Sequence, residues 1–318
     1  MAFHKKKGDL FEGLIQQTFN RFYTVQVGSH DYLCQPKGIL RQNEDPNYRL
    51  PVIGDWVTIE LTAESREGVD GYIVGIRERR NALAKFSDQK VSTKLKAANL
   101  DAVIVVSSVL RPDCDFGLID RYLVACTLQG LPAIVVINKI ELDPEFLNRP
   151  ELKVYRDLGY PVIETSVKKD IGMDQLRAVL SSGVSFFTGT SGVGKSSLIN
   201  TLVPKAQLAV GKVAERGGTG KHTTTSSILL PVGSGYLADS PGLRDYYPPR
   251  VEPEQVRFGF IEIQEDQKDC RYASCCHIQE PDCAIRESVR LGRIADWRYK
   301  NYRDLYFEMK NWQNQRYH

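Results

Sequence analysis

The 318-residue chain has no apolar run of transmembrane length, which argues against a helical membrane protein. Its first residues, Met1-Ala-Phe-His-Lys-Lys-Lys7, are basic but lead into no apolar signal core. Export is therefore not expected, and the cytoplasm is the expected compartment. No sign of charge dominates: 42 Lys/Arg against 39 Asp/Glu leave a net +3, too little to announce a nucleic-acid partner by itself. Cysteine is scarce outside one place. Of seven, four fall within Cys270–Cys283, and Cys34, Cys114 and Cys126 are scattered. An odd number so distributed is not a disulfide framework, and the scattered three read as buried apolar fillers. The rest is ordinary. With 42% hydrophobic and 25% charged residues, the chain fits a globular protein of two or three domains.

The most informative stretch is Gly189-Thr190-Ser191-Gly192-Val193-Gly194-Lys195-Ser196, a match to G-x-x-x-x-G-K-[ST]. A buried-strand pattern, Gly183–Thr188, precedes it, and a helical one, Ser196-Ser197-Leu-Ile-Asn-Thr-Leu202, follows. Glycines let successive backbone N–H groups turn inward onto phosphates, and the helix N-terminus adds partial positive charge. Lys195 would reach the β- and γ-phosphates, and Ser196 would hold Mg²⁺. A chance match in a chain of this length is on the order of one in a hundred, so a plain glycine turn is the weaker reading.

The N-terminal residues 1–20 read as a basic arm with a helical piece around Leu10–Phe19. Residues 21–85 read as short strands, Arg21–Val27, Gly38–Arg41, Asp55–Leu61 and Gly71–Arg77, separated by Gly, Pro, Asn and Asp. At this length a five-stranded oligonucleotide-binding (OB) barrel is the natural candidate. Arg77, Arg79 and Arg80 would suit a phosphate backbone. Composition does not decide it: twelve Lys/Arg stand against eleven Asp/Glu in residues 1–85.

Residues 86–250 follow an α/β grammar. Asp101–Ser107 and Pro132–Ile137 are β-branched apolar runs of a central parallel sheet, with helices expected at Phe116–Leu128, Glu151–Leu158 and Asp174–Leu180 and a strand at Val162–Thr165. Ligands of such sheets sit at the strands' carboxyl ends. There the sequence places Asn138-Lys139-Ile140-Glu141. A carboxylate at Glu141 can accept both N1–H and N2–H of guanine, which adenine cannot offer. Asn138 would tie loops together, and the Lys139 stem would cover the base. Ser166 and Val167 lie in a loop whose backbone would cap guanine O6. Gly211–Ser226 is rich in glycine and hydroxyls, and a threonine there, Thr223 or Thr224, could complete the Mg²⁺ shell and sense the γ-phosphate. Asp239-Ser-Pro-Gly242 ends a strand about forty residues past Lys195. Asp239 would reach Mg²⁺ through water, and Gly242 would touch the γ-phosphate.

In residues 251–318, Cys270-x₄-Cys275-x-His277-x₅-Cys283 offers three thiolates and one imidazole, enough for a closed tetrahedral Zn²⁺ site. Cys276 in place of Cys275 is the open alternative. From Ala284 to His318, eight Lys/Arg against four Asp/Glu, interleaved with aromatics, favour an RNA backbone. A terminal helix packing its aromatics would use some of the same residues.

The guanine-reading motif precedes the phosphate loop here, the reverse of the usual order and the mark of a circular permutation. With a barrel in front and a Cys/His cluster behind, roughly residues 20–310 resemble the ribosome small-subunit-dependent GTPases, bacterial factors of late 30S assembly. The resemblance implies an OB barrel, a permuted GTPase domain and a helical zinc domain. It also implies GTP with Mg²⁺, one structural Zn²⁺, and the 30S subunit with its rRNA as partner of a monomer. It departs at Glu141, where that family has aspartate. Leu243, where many GTPases place a water-orienting glutamine, implies slow intrinsic hydrolysis, and His222 matches a histidine proposed as the substitute. An ATP-using enzyme or an RNA-binding module with a degenerate nucleotide site are the competing readings.

Overall fold

The computed structural model describes residues 9–38, 40, 50–62, 68–87, 92–203, 226–239 and 251–316. These fall into two compact units, each assembled from three separated stretches of chain: Met1–Ala102 with Arg177–Phe187 and Ser196–Tyr246, and Val103–Leu176 with Thr188–Lys195 and Tyr247–His318.

The first unit is built on a barrel. Strands β1 (Leu10–Phe19), β2 (Phe22–Val27), β3 (His30–Pro36), β4 (Trp56–Leu61) and β5 (Gly71–Ile76) run in the order β1-β2-β3-β5-β4, and β4 closes back on β1. The β3–β5 pair is parallel; the other barrel pairs are antiparallel. Ile15, Val25, Cys34, Ile59 and Ile73 fill the interior and are fully buried. Closure is incomplete along β1, whose second half keeps an edge that another strand pairs with.

Two expectations fail in this barrel. Leu10–Phe19 is a ten-residue strand, not a helical piece. Its apolar residues are spaced ambiguously, and sheet pairing on both sides decides. The first half pairs with β4 and the second half with a strand outside the barrel, while β2 pairs with Leu14–Phe19 across a bulge between Ile15 and Gln17. Gly13 permits the close approach, since a Cβ there would stand 2.5 Å from Val25 Cγ1 and 2.7 Å from Gln26 O. The second correction concerns Gly38–Arg41, expected as a strand, of which Gly38 and Leu40 are among the described residues and the other two are not. The third strand lies earlier, at β3, and Gly38 and Leu40 sit in a tight 3₁₀ turn, with Lys37 O accepting from Leu40 N at 3.1 Å.

The strand beyond the barrel edge is β12 (Ser226–Val232), which forms a hairpin with β13 (Gly235–Asp239); β11 (Val184–Thr188) then runs parallel to β13. Pairing of Gln17, Thr18 and Phe19 with Ile228, Ser227 and Ser226 makes barrel and hairpin one continuous sheet. A separate hairpin, β6 (Ala82–Ser87) and β7 (Ser92–Ala98), completes the unit's strands among the described residues.

In the second unit, β8 (Ala102–Ser108), β9 (Ala133–Asn138) and β10 (Val162–Thr165) are parallel, in the order β10-β9-β8. All seven residues of β8 are buried, as its β-branched run requires. The crossover helices are α1 (Phe116–Leu128), α2 (Pro150–Asp157) and α3 (Met173–Leu180). Asp115 caps α1 by accepting from Leu118 N at 3.0 Å, which satisfies one of the end's orphan donors. Helix α4 (Lys195–Leu202) follows the phosphate loop, and the C-terminal helices are α5 (Ile261–Asp266), α6 (Ala284–Arg290) and α7 (Asp296–Arg316). These C-terminal helices share a core of Val256, Phe260, Ile263, Ile285, Tyr302 and Met309 that includes Val124 of α1. Gly259 lets that contact form, because a Cβ there would lie 2.4 Å from Val124 Cγ1.

Candidate functional site

Two parallel strands aim the chemistry. β9 ends at Asn138, and β10 ends at Thr165, its register partner. The buried Asn138 side chain donates from Nδ2 to Val193 O at 2.9 Å, inside the phosphate loop, and its Oδ1 accepts from the Thr165 hydroxyl at 3.1 Å. Thr165 thus fixes which way the amide points, a role that the sequence does not reveal. Lys139 takes a left-handed conformation (φ 63°), and its ammonium bridges Gly192 O at 2.6 Å and Arg111 O. Its stem therefore spans from the Asn-Lys loop to the phosphate loop, as covering a base would require.

The loop itself has the shape that its glycines permit. At Gly189 (φ 135°) a Cβ would meet Val106 O at 2.1 Å, and at Gly194 (φ 100°) it would meet Asn138 Nδ2 at 2.3 Å. The Lys195 ammonium donates to Gly189 O and Thr190 O, both at 2.7 Å, curled over the loop where phosphate oxygens would be its partners. Ser196 and Ser197 sit in the first turn of α4, and Asp239 closes β13. Bound Mg²⁺ would neutralise phosphate charge between such oxygen ligands. His222, Thr223, Thr224 and Gly242 lie outside the described residues, as does Leu243.

Glu141 is the test of fit for guanine. Its Oε2 is buried and has no hydrogen-bond partner among the described residues. Burial alone would raise this carboxyl, but the Ser166 hydroxyl, its own backbone N–H and the charges of Lys168 and Lys169 outweigh it, and the pKa is lowered. The group is thus an ionised acceptor with an open valence, which suits the paired N–H donors of guanine. The Ser166 backbone N–H donates to Ile171 O at 3.0 Å, so it is already engaged within its own loop.

A Gly194→Ala variant follows from this geometry. The added methyl must displace the Asn138 amide from a backbone region that alanine resists, so affinity for a fluorescent GDP analogue is expected to fall at least about tenfold. Unchanged affinity would mean that Asn138 and the loop separate freely.

Cys270, Cys275, His277 and Cys283 come together, with all four ligand atoms within 4.8 Å of one another. His277 Nδ1 lies 3.5 Å from the sulfurs of both Cys270 and Cys283. The geometry places Cys275 in the cluster, whereas the Cys276 sulfur points to Ser274 O at 3.7 Å. Burial, with Arg257 nearby, lowers the His277 imidazole to about 4, so the ring is neutral at pH 7 and able to ligate. Burial pushes the Cys275 thiol up to about 12, a preference that a bound dication would reverse. This donor set and its compactness fit one Zn²⁺. The surrounding groups are arranged for it. Glu280 accepts from the N–H groups of Cys276, Ile278 and Gln279 at 2.7, 2.9 and 3.1 Å, and the Tyr299 hydroxyl donates to His277 O at 2.6 Å.

Sequence reading missed a buried ion cluster. Arg298 of α7 donates to Glu262 at 2.7 and 2.9 Å and to Asp120 of α1, which also accepts from Tyr155 and Asn301, both at 2.6 Å. Arg298 and Asp120 are each 1% exposed. No spacing of residues 120, 262 and 298 could have announced it.

The sequence pattern of the RsgA GTPase domain matches residues 76–247, and that of the RsgA N-terminal domain matches residues 12–73. The chain belongs to the RsgA GTPase family. Its RsgA relatives include a small ribosomal subunit biogenesis GTPase RsgA of Mannheimia succiniciproducens, 37% identical over 98% of this chain and 90% of that one. Another, from Haemophilus influenzae, is 40% identical over 84% of this chain and 78% of the relative. Among solved structures, YjeQ from Thermotoga maritima has a TM-score of 0.74 at 30% identity, covering 95% of this chain and 99% of that one. YloQ, described as a circularly permuted GTPase, has a TM-score of 0.73 at 27% identity, with 98% of each chain covered. As an RsgA GTPase the chain is a GTP hydrolase, and the permuted order of its motifs is that of its fold. No helix among the described residues is long and apolar enough to cross a membrane.

Proposed function

We propose that this enzyme acts in late maturation of the small ribosomal subunit, hydrolysing GTP slowly alone and faster on the 30S particle. The observation that carries the nucleotide part is the 2.9 Å bond from Asn138 Nδ2 to Val193 O, which joins the base-reading loop to the phosphate loop in one site. The names of the relatives supply the ribosomal part. Asn138, Lys139, Glu141 and Val167 would read guanine, residues 189–197 would hold the phosphates, and Ser196, Asp239 and a threonine of residues 223–224 would complete the Mg²⁺ shell. The barrel and the basic C-terminal residues would contact rRNA, with the protein acting as a cytoplasmic monomer. His222 is the candidate for orienting the attacking water.

The test is GTP hydrolysis with and without 30S subunits, with 50S subunits and ATP as controls. At least tenfold stimulation by 30S alone is expected, equivalent to about 1.4 kcal/mol of barrier. Stimulation by neither subunit, or equal use of ATP, would overturn the reading. Glu141→Ala should reduce the preference for GTP over ATP by about a hundredfold or more, because two charge-assisted hydrogen bonds to guanine are lost. Competition binding with both nucleotides measures it. Elemental analysis should find one zinc per chain, lost in Cys275→Ser and retained in Cys276→Ser.

A further inference from the structure

A cleft of about 780 Å³ opens in the first unit between the barrel and the β11–β13 strands. That volume lies within the range of small-ligand sites, roughly 300–1,000 Å³. One wall carries Trp56 and Arg77, and the far wall carries Val184 and Tyr236. Trp56, at the start of β4, is 44% exposed, an expensive way to display an indole unless something covers it. Arg77 sits beside it, its N–H bonded to Trp56 O at 2.9 Å. The Arg77 side chain is exposed and has no carboxylate partner among the described residues. Its neighbours differ. The Arg79 side chain is buried and held by Asp55 at 2.6 and 2.7 Å, while the Arg80 side chain pairs with Asp101 at 2.8 Å but stays 62% exposed.

An exposed indole beside a guanidinium with no carboxylate partner among the described residues is the pair of features by which single-stranded nucleic acid is held: the base stacks and the phosphate is neutralised. A duplex buries its base faces and offers only phosphates. Glu78 and Asp101 also line the cleft, and with Arg79 paired to Asp55 and Arg80 to Asp101 the lining carries no excess positive charge, so the ring must contribute more than the cation. The far wall gives the site a consequence. The Tyr236 hydroxyl accepts from Gln16 Nε2 at 3.1 Å and donates to Gln26 Oε1 at 2.9 Å, which ties the barrel to β13. A ligand here bridges the barrel and the strand that ends at Asp239.

We propose that this cleft binds a single-stranded segment of RNA, with an unpaired base on Trp56 and its phosphate on Arg77. The proposal rests on the ribosomal reading above but names a place and a ligand form that the reading does not. The experiment is anisotropy titration of a labelled eight-nucleotide single-stranded RNA with the full chain at several salt concentrations. Trp56→Ala should weaken binding about tenfold without changing the salt slope, and Trp56→Phe should restore most of it. Arg77→Ala should lower the slope of log K against log salt by about 0.7. Wild-type affinity in both variants would overturn the proposal. So would equal, Trp56-independent affinity for duplex RNA. If the double variant loses 30S binding but keeps the oligonucleotide, a ribosomal-protein segment occupies the cleft and the RNA assignment fails. A protein stimulated by 30S whose RNA binding ignores both residues keeps its function and loses the cleft. One that is not stimulated, yet binds RNA through Trp56, does the reverse.

Discussion

Lys195→Ala is expected to lower GTP hydrolysis by about a hundred- to a thousandfold, the usual effect of removing one preorganised group that faces developing charge. The ammonium now rests on Gly189 O and Thr190 O at 2.7 Å. Two backbone carbonyls at the mouth of a phosphate loop are acceptors that it can exchange for phosphate oxygens with little rearrangement. Phosphoryl transfer demands mostly positioning and charge neutralisation, so the loss should appear chiefly in kcat. Nucleotide affinity should fall less, because the loop's backbone donors remain. Single-turnover hydrolysis and GDP-analogue titration separate the two. Undiminished kcat would remove Lys195 from the chemistry and reopen the reading of a degenerate site. Lys195→Arg should not rescue, since a planar, forked guanidinium cannot act as a compact point charge.

Arg298→Ala should produce the largest loss of stability. The arginine is 1% exposed and satisfies both Glu262 and Asp120. Its removal would strand two carboxylates in a buried site, and breaking such a cluster costs about 3–5 kcal/mol. Stacking over Phe260 at 4.7 Å adds to the loss. Because Asp120 lies in α1 while Glu262 and Arg298 lie in α5 and α7, the damage should be specific. The C-terminal helices should detach from α1, seen as early denaturant unfolding, faster proteolysis after residue 251 and easier zinc release. Replacing Asp120, Glu262 and Arg298 together by apolar residues of similar volume should recover much of the stability, because no charge is then left unpaired. A single variant as stable as the wild type would show that water reaches the carboxylates.

Most of the central α/β segment was legible because its patterns are local. Phe116–Leu128 is helical and Val162–Thr165 is a strand at the expected residues. Long β-branched runs and a well-spaced amphipathic stretch leave little room for an alternative. Leu10–Phe19 was misread for the opposite reason. Its period is ambiguous, and pairing with the adjacent β2 and with two strands from distant segments, β4 and β12, decided it. The Gly38–Arg41 expectation failed because a tight turn and a short strand share the same residue types.

By itself the sequence determined which chemistry the chain can carry: a phosphate loop, an Asn-Lys-x-Glu motif and a Cys₃His set, in an order that only a permuted fold accommodates. Motifs of this kind are legible because the chemistry constrains neighbouring residues. Tertiary structure alone decided what distant residues do for one another. It turned Asn138 onto Val193, left Glu141 Oε2 buried and open, and selected Cys275 over Cys276 for the cluster. It also sank Arg298 between two carboxylates and extended the barrel sheet into the β12–β13 hairpin. These depend on burial and on contacts across tens to hundreds of residues, where energy is set by packing and desolvation and leaves no periodic trace in the chain.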